Sequence, residues 1–146
     1  MTTNITSQFQ AKVLVPGSGS GLALVLAEPL SLWGGLNPES GEIIDRRHPQ
    51  AGQIVTNRVL VLPSGRGSSS ASSILLEAVR QGKAPAAIIT SETDGILALG
   101  AAVAQEIYDQ SPPVLVLTPE AYATLHTDQQ IHIQPDGTIT VAEPIN

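Results

Sequence analysis

Val59-Leu60-Val61-Leu62-Pro63-Ser64-Gly65-Arg66-Gly67-Ser68-Ser69-Ser70-Ala71-Ser72 is the stretch whose reading decides the fold. Four consecutive apolar residues, two of them β-branched, read as a strand buried on both faces. Pro63 and two glycines end it. A serine cluster then leads into an apolar helix pattern over 72–81 that Gly82 closes. The same rhythm continues with a buried strand over 86–90, a largely apolar helix over 96–107 and a third strand over 113–117. Continuous apolar strands alternating with helices predict a small parallel sheet covered on its faces.

Toward the N-terminus, Ala11-Lys12-Val13-Leu14-Val15-Pro16 reads as a first strand and Leu22-Ala23-Leu24-Val25-Leu26 as a second. Gly17-Ser18-Gly19-Ser20-Gly21 between them predicts a hairpin or bulged connection. The Gly-x-Gly-x-Gly spacing looks like a dinucleotide fingerprint only superficially, because a strand follows it where a helix is required. Residues 28–45 are irregular and rich in Pro, Gly and Asn, with Trp33-Gly34-Gly35 in their middle. A loop this long in a small domain is usually functional or covered by a partner. Short strands are expected at 43–45 and 53–55. They flank Arg46-Arg47-His48-Pro49, which is either a solvated turn or the basic wall of a site. Near the C-terminus, Gln130-Ile131-His132-Ile133-Gln134 and Gly137-Thr138-Ile139-Thr140-Val141 alternate with period two around Pro135-Asp136-Gly137, which predicts a hairpin. The expected fold class is α/β: a barrel-like, β-rich N-terminal half, a small parallel β/α layer and a closing hairpin. Residues 1–146 are read as a single domain, with 1–10 as a flexible N-terminal segment.

Composition narrows the function classes. The apolar fraction is 42% but aromatic residues are only 3%, so the core must be aliphatic. Charged residues make up 14%, well below the usual quarter, as expected of a domain that hides part of its surface against a partner. A net charge of −6 without a basic stripe argues against nucleic acid. No apolar run reaches membrane-spanning length and the N-terminus lacks a signal-peptide pattern, so no membrane association and a cytoplasmic location are expected. Without cysteine, this chain has no thiol nucleophile and cannot by itself hold an iron–sulfur cluster. Its three histidines, His48, His126 and His132, show no metal-ligand spacing, and no metal is assigned to this chain.

The chemistry concentrates in the turn after Leu62. Gly65 and Gly67 allow close approach of the backbone to a ligand. N–H groups at the coming helix start favour an anion there. Arg66 adds a planar charged fork suited to a carboxylate or phosphate. A serine hydroxyl beside such positive potential can be pushed toward its alkoxide and act as a base. Serine-rich turns before helices are also commonly N-caps, so by itself the motif reads as an anion site without a named reaction.

Three segments together, Pro29-Leu30-Ser31-Leu32-Trp33-Gly34-Gly35, Pro63-Ser64-Gly65-Arg66-Gly67-Ser68-Ser69-Ser70 and Lys83-Ala84-Pro85-Ala86-Ala87-Ile88-Ile89, resemble in order and spacing the small subunit of aconitase X. The likeness runs from about Lys12 to Leu117. That group includes archaeal phosphomevalonate dehydratase and bacterial cis-3-hydroxy-L-proline dehydratase. The resemblance implies a swivelling β/β/α domain seated over a larger catalytic subunit that carries cysteine-bound iron, as single iron or an iron–sulfur cluster. It implies dehydration of a small-molecule hydroxy substrate, with Ser68 as proton acceptor. Aconitase has an arginine after the serine pair of its related Gly-Ser-Ser-Arg. Ser70 stands there in this chain, which makes Arg66 the candidate for the substrate carboxylate. Gly65, Arg66, Gly67, Ser69, Ser70, Trp33, Gly34 and Gly35 are the expected substrate-binding residues. The stretch Ile43 to Pro49 looks more like the hydroxyproline-type members, so cis-3-hydroxy-L-proline is preferred over mevalonate 5-phosphate. Swivelling folds also include phosphohistidine carriers. Here the glycine- and serine-rich loop contains no histidine, so His48 is the one candidate for a carrier; a non-catalytic scaffold module is a separate alternative.

Overall fold

The computed structural model describes residues 4–66 and 69–143. In chain order its elements begin with strands β1 (Asn4–Gln10), β2 (Lys12–Val15) and β3 (Gly19–Val25), then a short turn α1 (Leu32–Gly35). Strands β4 (Leu36–Asn37), β5 (Glu42–Ile43) and β6 (Val59–Leu62) follow. The chain then alternates through helix α2 (Ser70–Arg80), β7 (Ala87–Thr90), α3 (Gly95–Tyr108), β8 (Val114–Val116) and the short α4 (Pro119–Tyr122). It closes with the expected hairpin, β9 (Gln130–Ile133) and β10 (Thr138–Glu143).

Eight strands form one sheet in the order β1-β10-β9-β3-β6-β7-β8-β2. The parallel layer is β3-β6-β7-β8, with Leu24 opposite Leu60, Leu60 opposite Ile88 and Ile88 opposite Val114. The strands at the two ends of that order, β1 and β2, are neighbours in the chain with only Ala11 between them. The sheet therefore curls until its outer strands share a corner, where the Ala11 N–H donates to the Gly137 carbonyl at 3.0 Å. The result is a nearly closed, barrel-like sheet with helices on one side, the mixed α/β architecture that the apolar rhythm predicts.

Period-two geometry explains why β6 shows no polar alternation. Leu60 and Leu62 join Leu24, Ile88, Leu75 and Leu97 beneath the helices. Val59 and Val61 face the other way, into the barrel interior with Ile89, Leu115, Ile131, Ile133 and Ile139. Both faces are covered and all four residues of β6 are buried. Each such aliphatic side chain contributes about 1.5–3 kcal/mol by leaving water. Gly100 lets α3 lie close on α2, since a Cβ there would sit 2.9 Å from the Ser72 carbonyl oxygen.

Three sequence readings change, the shortest being the strand expected at 53–55, of which only an isolated bridge from Ile54 to Glu42 remains. The hairpin expected across Gly17 to Gly21 does not form. Strand β2 pairs antiparallel with β8, whereas β3 lies between β9 and β6. Gly19 and Gly21 belong to β3 itself and have ordinary backbone angles. Their missing side chains allow close approach, because a Cβ on either would lie 2.5 Å from a backbone oxygen, Ala86 O or Asn57 O respectively. At the N-terminus, Asn4–Gln10 form an edge strand against β10, with Phe9 opposite Ile139 and packed on the barrel interior. A polar stretch with one such anchor carries little strand signal in one dimension. Among the described residues no helix is long and apolar enough to cross a membrane.

Candidate functional site

Because β3, β6 and β7 are parallel, the loops that leave them emerge at the same end of the sheet, the end where open α/β sheets place their ligands. The turn after β6 is stitched to both neighbours. On one side, the Arg66 N–H donates to the Leu30 carbonyl at 3.2 Å, and Leu30 bridges Gly65 in parallel register. On the other side, the Ser91 N–H and hydroxyl both donate to the Pro63 carbonyl at 3.3 Å. There the Gly65 N–H also donates to Asp94 Oδ2 at 2.6 Å.

Between the β3 and β6 loops lies an open cleft of about 470 Å³, whose lining includes Trp33, Gly34, Gly35 and Arg66. Those four were expected as substrate-binding residues from separate segments of the sequence, and the fold brings them together. Gly34 has φ 77°, in the left-handed region that favours glycine. Gly35 packs tightly, since a Cβ there would come 3.0 Å from Leu30 Cδ1. The Ser31 hydroxyl donates to the Trp33 carbonyl at 3.1 Å and steadies the turn. Trp33 is 61% exposed, so most of its indole is open to a ligand or a docking surface.

The remaining expected residues fall elsewhere. Gly65 does not line this cleft but an adjoining small cavity of about 40 Å³, shared with Leu30, Leu97, Asp94 and Arg66, the last of which lines both. Ser69 and Ser70 are exposed at the start of α2 and do not line the cleft. Ser69 makes no side-chain cap bond. The Ser72 and Ser73 hydroxyls donate to the Ser69 and Ser70 carbonyls at 2.7 Å, so these two are committed to their own backbone. Gly67 and Ser68 lie outside the described residues.

The Arg46-Arg47-His48 cluster divides. Arg47 and His48 line the cleft, whereas Arg46 does not. His48 is buried with both ring nitrogens engaged. Nδ1 accepts from the Gln50 N–H at 3.0 Å, which leaves Nε2–H to donate to the Glu28 carbonyl at 3.1 Å. A ring held in this way is a structural pin between two loops and presents no free nitrogen to a phosphoryl group.

Sequence reasoning passed over three groups: Glu28 and Asp45, which line the cleft, and Asp94 in the adjoining small cavity. Asp94 carried a readable signal, an aspartate immediately before an apolar helix pattern. Glu28 and Asp45 oppose Arg47 and Arg66, so the cleft lining carries balanced charge. Arg47 Nε stands 3.8 Å from Asp45 Oδ1, but its side chain is 95% exposed, and such a pair contributes little. Arg47 is therefore available to another anion. Among the described residues no group of three or more His, Cys, Asp or Glu could hold a metal ion, and the sequence contains no cysteine.

The model of the aconitase X swivel domain matches residues 8–141. The chain belongs to that family. It is similar to a cis-3-hydroxy-L-proline dehydratase of Pseudomonas aeruginosa, with 50% identity over 106 residues, covering 73% of this chain and 18% of that protein. This chain thus spans less than a fifth of the length of that relative. It is also similar to the phosphomevalonate dehydratase small subunit of Methanothermobacter thermautotrophicus, with 38% identity over 66% of this chain and 74% of that subunit. Among solved structures, the holo form of Thermococcus kodakaraensis aconitase X matches with a TM-score of 0.84 and 28% identity, covering 94% of this swivel domain and 99% of that chain.

Proposed function

We propose that this swivel domain closes the active site of an aconitase X-type hydro-lyase that dehydrates cis-3-hydroxy-L-proline, with Ser68 as proton acceptor and Arg66 on the substrate carboxylate. The observation that carries the reading is the shared cleft. Arg66 and the Trp33-Gly34-Gly35 turn meet at the strand ends, two residues before Ser68. The balanced lining, two carboxylates and two guanidiniums, suits a zwitterionic amino acid better than a substrate bearing both a carboxylate and a phosphate. The 50% identity to a cis-3-hydroxy-L-proline dehydratase supports the same choice.

Dehydration breaks one C–H bond and one C–O bond and places the C–H electron pair in a new double bond. In this proposal the proton passes to the Ser68 oxygen and the hydroxide departs. Arg66 holds the carboxylate in the bidentate manner natural to a guanidinium, fixing which face of the substrate meets the serine. Its charge also stabilises the negative charge that develops as the proton leaves. The donor set of this chain does not fit an iron centre. In this proposal any iron would be held by a larger, cysteine-bearing part of the enzyme, as the family likeness suggests, and no step of this chain's chemistry is routed through it.

The test is to assemble the swivel domain with its larger partner and iron, then to offer cis-3-hydroxy-L-proline and mevalonate 5-phosphate separately. Turnover of the amino acid is expected. Turnover of the phosphate ester alone reassigns the substrate, and turnover of neither overturns the dehydratase reading.

A further inference from the structure

The Asp94 carboxylate divides its two oxygens between two loops. Oδ1 accepts from the Ile96 and Leu97 N–H groups, both at 3.0 Å, and so caps α3. Oδ2 turns away from the helix and accepts from the Gly65 N–H at 2.6 Å. A Cβ on Gly65 would lie 2.7 Å from that same oxygen, so any larger residue there would push the carboxylate away. The residue after Gly65 is Arg66, whose own N–H is bonded to Leu30. A charged acceptor at this distance makes a stronger bond than a neutral one. The carboxylate is only partly exposed, which further limits competition from water.

We infer that Asp94 is a positioning residue for the cleft: its Oδ2 fixes Gly65 and thereby the direction in which Arg66 leaves β6 at the start of the loop. This deepens the proposed function and rests on it, since it supposes that this loop carries the carboxylate-binding and proton-accepting groups. Asp94 itself does not line the cleft but the adjoining small cavity, so it acts on the cleft through Gly65.

Asp94→Asn separates the two duties. Asparagine is as good an N-cap as aspartate, so its carbonyl oxygen keeps the two bonds to α3. Its amide NH2 then faces the Gly65 N–H, donor against donor, and the clamp is lost. In the assembled dehydratase, hydrogen–deuterium exchange should quicken in peptides covering 63–70 while protection of 95–108 stays unchanged. Turnover should fall about tenfold to a hundredfold in kcat/KM, the size expected when a reacting pair is misplaced. The double variant Gly65→Ala/Asp94→Asn should be no worse than the poorer single variant, because both remove one contact.

Unchanged exchange in the 63–70 peptides overturns the clamp. Faster exchange there with wild-type kcat/KM overturns the positioning role. Additive losses in the double variant overturn the pairing of Gly65 with Asp94. These outcomes differ from failure of the underlying reading, in which Ser68→Ala retains wild-type turnover while the exchange response to Asp94→Asn persists.

Discussion

The two strand-to-helix corners on the sheet start from equivalent positions and end differently. Strands β6 and β7 are adjacent, parallel and buried at every residue, and each turns into a helix at the same end. At the second corner Asp94 adopts an extended conformation and its side chain caps α3 twice. At the first, Ser69 already has helical backbone angles and makes no side-chain cap. A capped helix start has its orphan N–H groups satisfied from within and is a structural joint. The corner without a cap from Ser69 is the one beside the cleft, and it carries Arg66. In the proposed reading the serine-rich turn carries the site and the aspartate turn supports it, the reverse of a reading in which serines cap and acids do chemistry.

The comparison can be broken at several points. Ser68→Ala has the largest expected effect: turnover in the assembled enzyme should fall by about a hundredfold to ten-thousandfold with assembly intact, the range lost with a general base. Steady-state assays combined with size-exclusion chromatography measure both. Wild-type turnover would make the first corner structural after all.

Gly100→Ala comes next, because it forces apart the two helices that the corners launch. The added methyl would stand 2.9 Å from the Ser72 carbonyl oxygen and 3.3 Å from Leu75 Cβ. Overpacking of this kind costs about 1–3 kcal/mol, read as a lower urea midpoint at unchanged slope.

The smallest and sharpest effect is a paired measurement. Asp94→Ala should destabilise by about 0.5–2 kcal/mol through loss of its cap, whereas Ser69→Ala should stay within about 0.5 kcal/mol of wild type. Equal losses from the two would erase the distinction between the corners.

Strand β6, helices α2 and α3 and the β9–β10 hairpin were legible because each is written in local periodicity or local turn chemistry. So was the candidate cleft in part: Trp33, Gly34, Gly35 and Arg66 stood out by residue type. The roles of Gly19 and Gly21 were not legible. A glycine that opens a turn and one that admits a neighbouring strand look alike in sequence, and only the Ala86 and Asn57 oxygens beside them tell the two apart.

His48 and Asp94 show the same limit from opposite sides. The setting of His48 between arginine and proline suggested chemistry, and its burial with both nitrogens bonded makes it a pin. Asp94 drew no sequence reading, and its second oxygen reaches 29 positions back to Gly65. Sequence alone pointed to most of the strands and helices and to the turn after β6 as a candidate anion site, because backbone preference and apolar spacing act over a few residues. Tertiary structure decided which turns share a cleft, which ends of the sheet meet and which carboxylate serves which loop. Those outcomes depend on hydrogen bonds and close packing between residues far apart in the chain, and no local pattern encodes them.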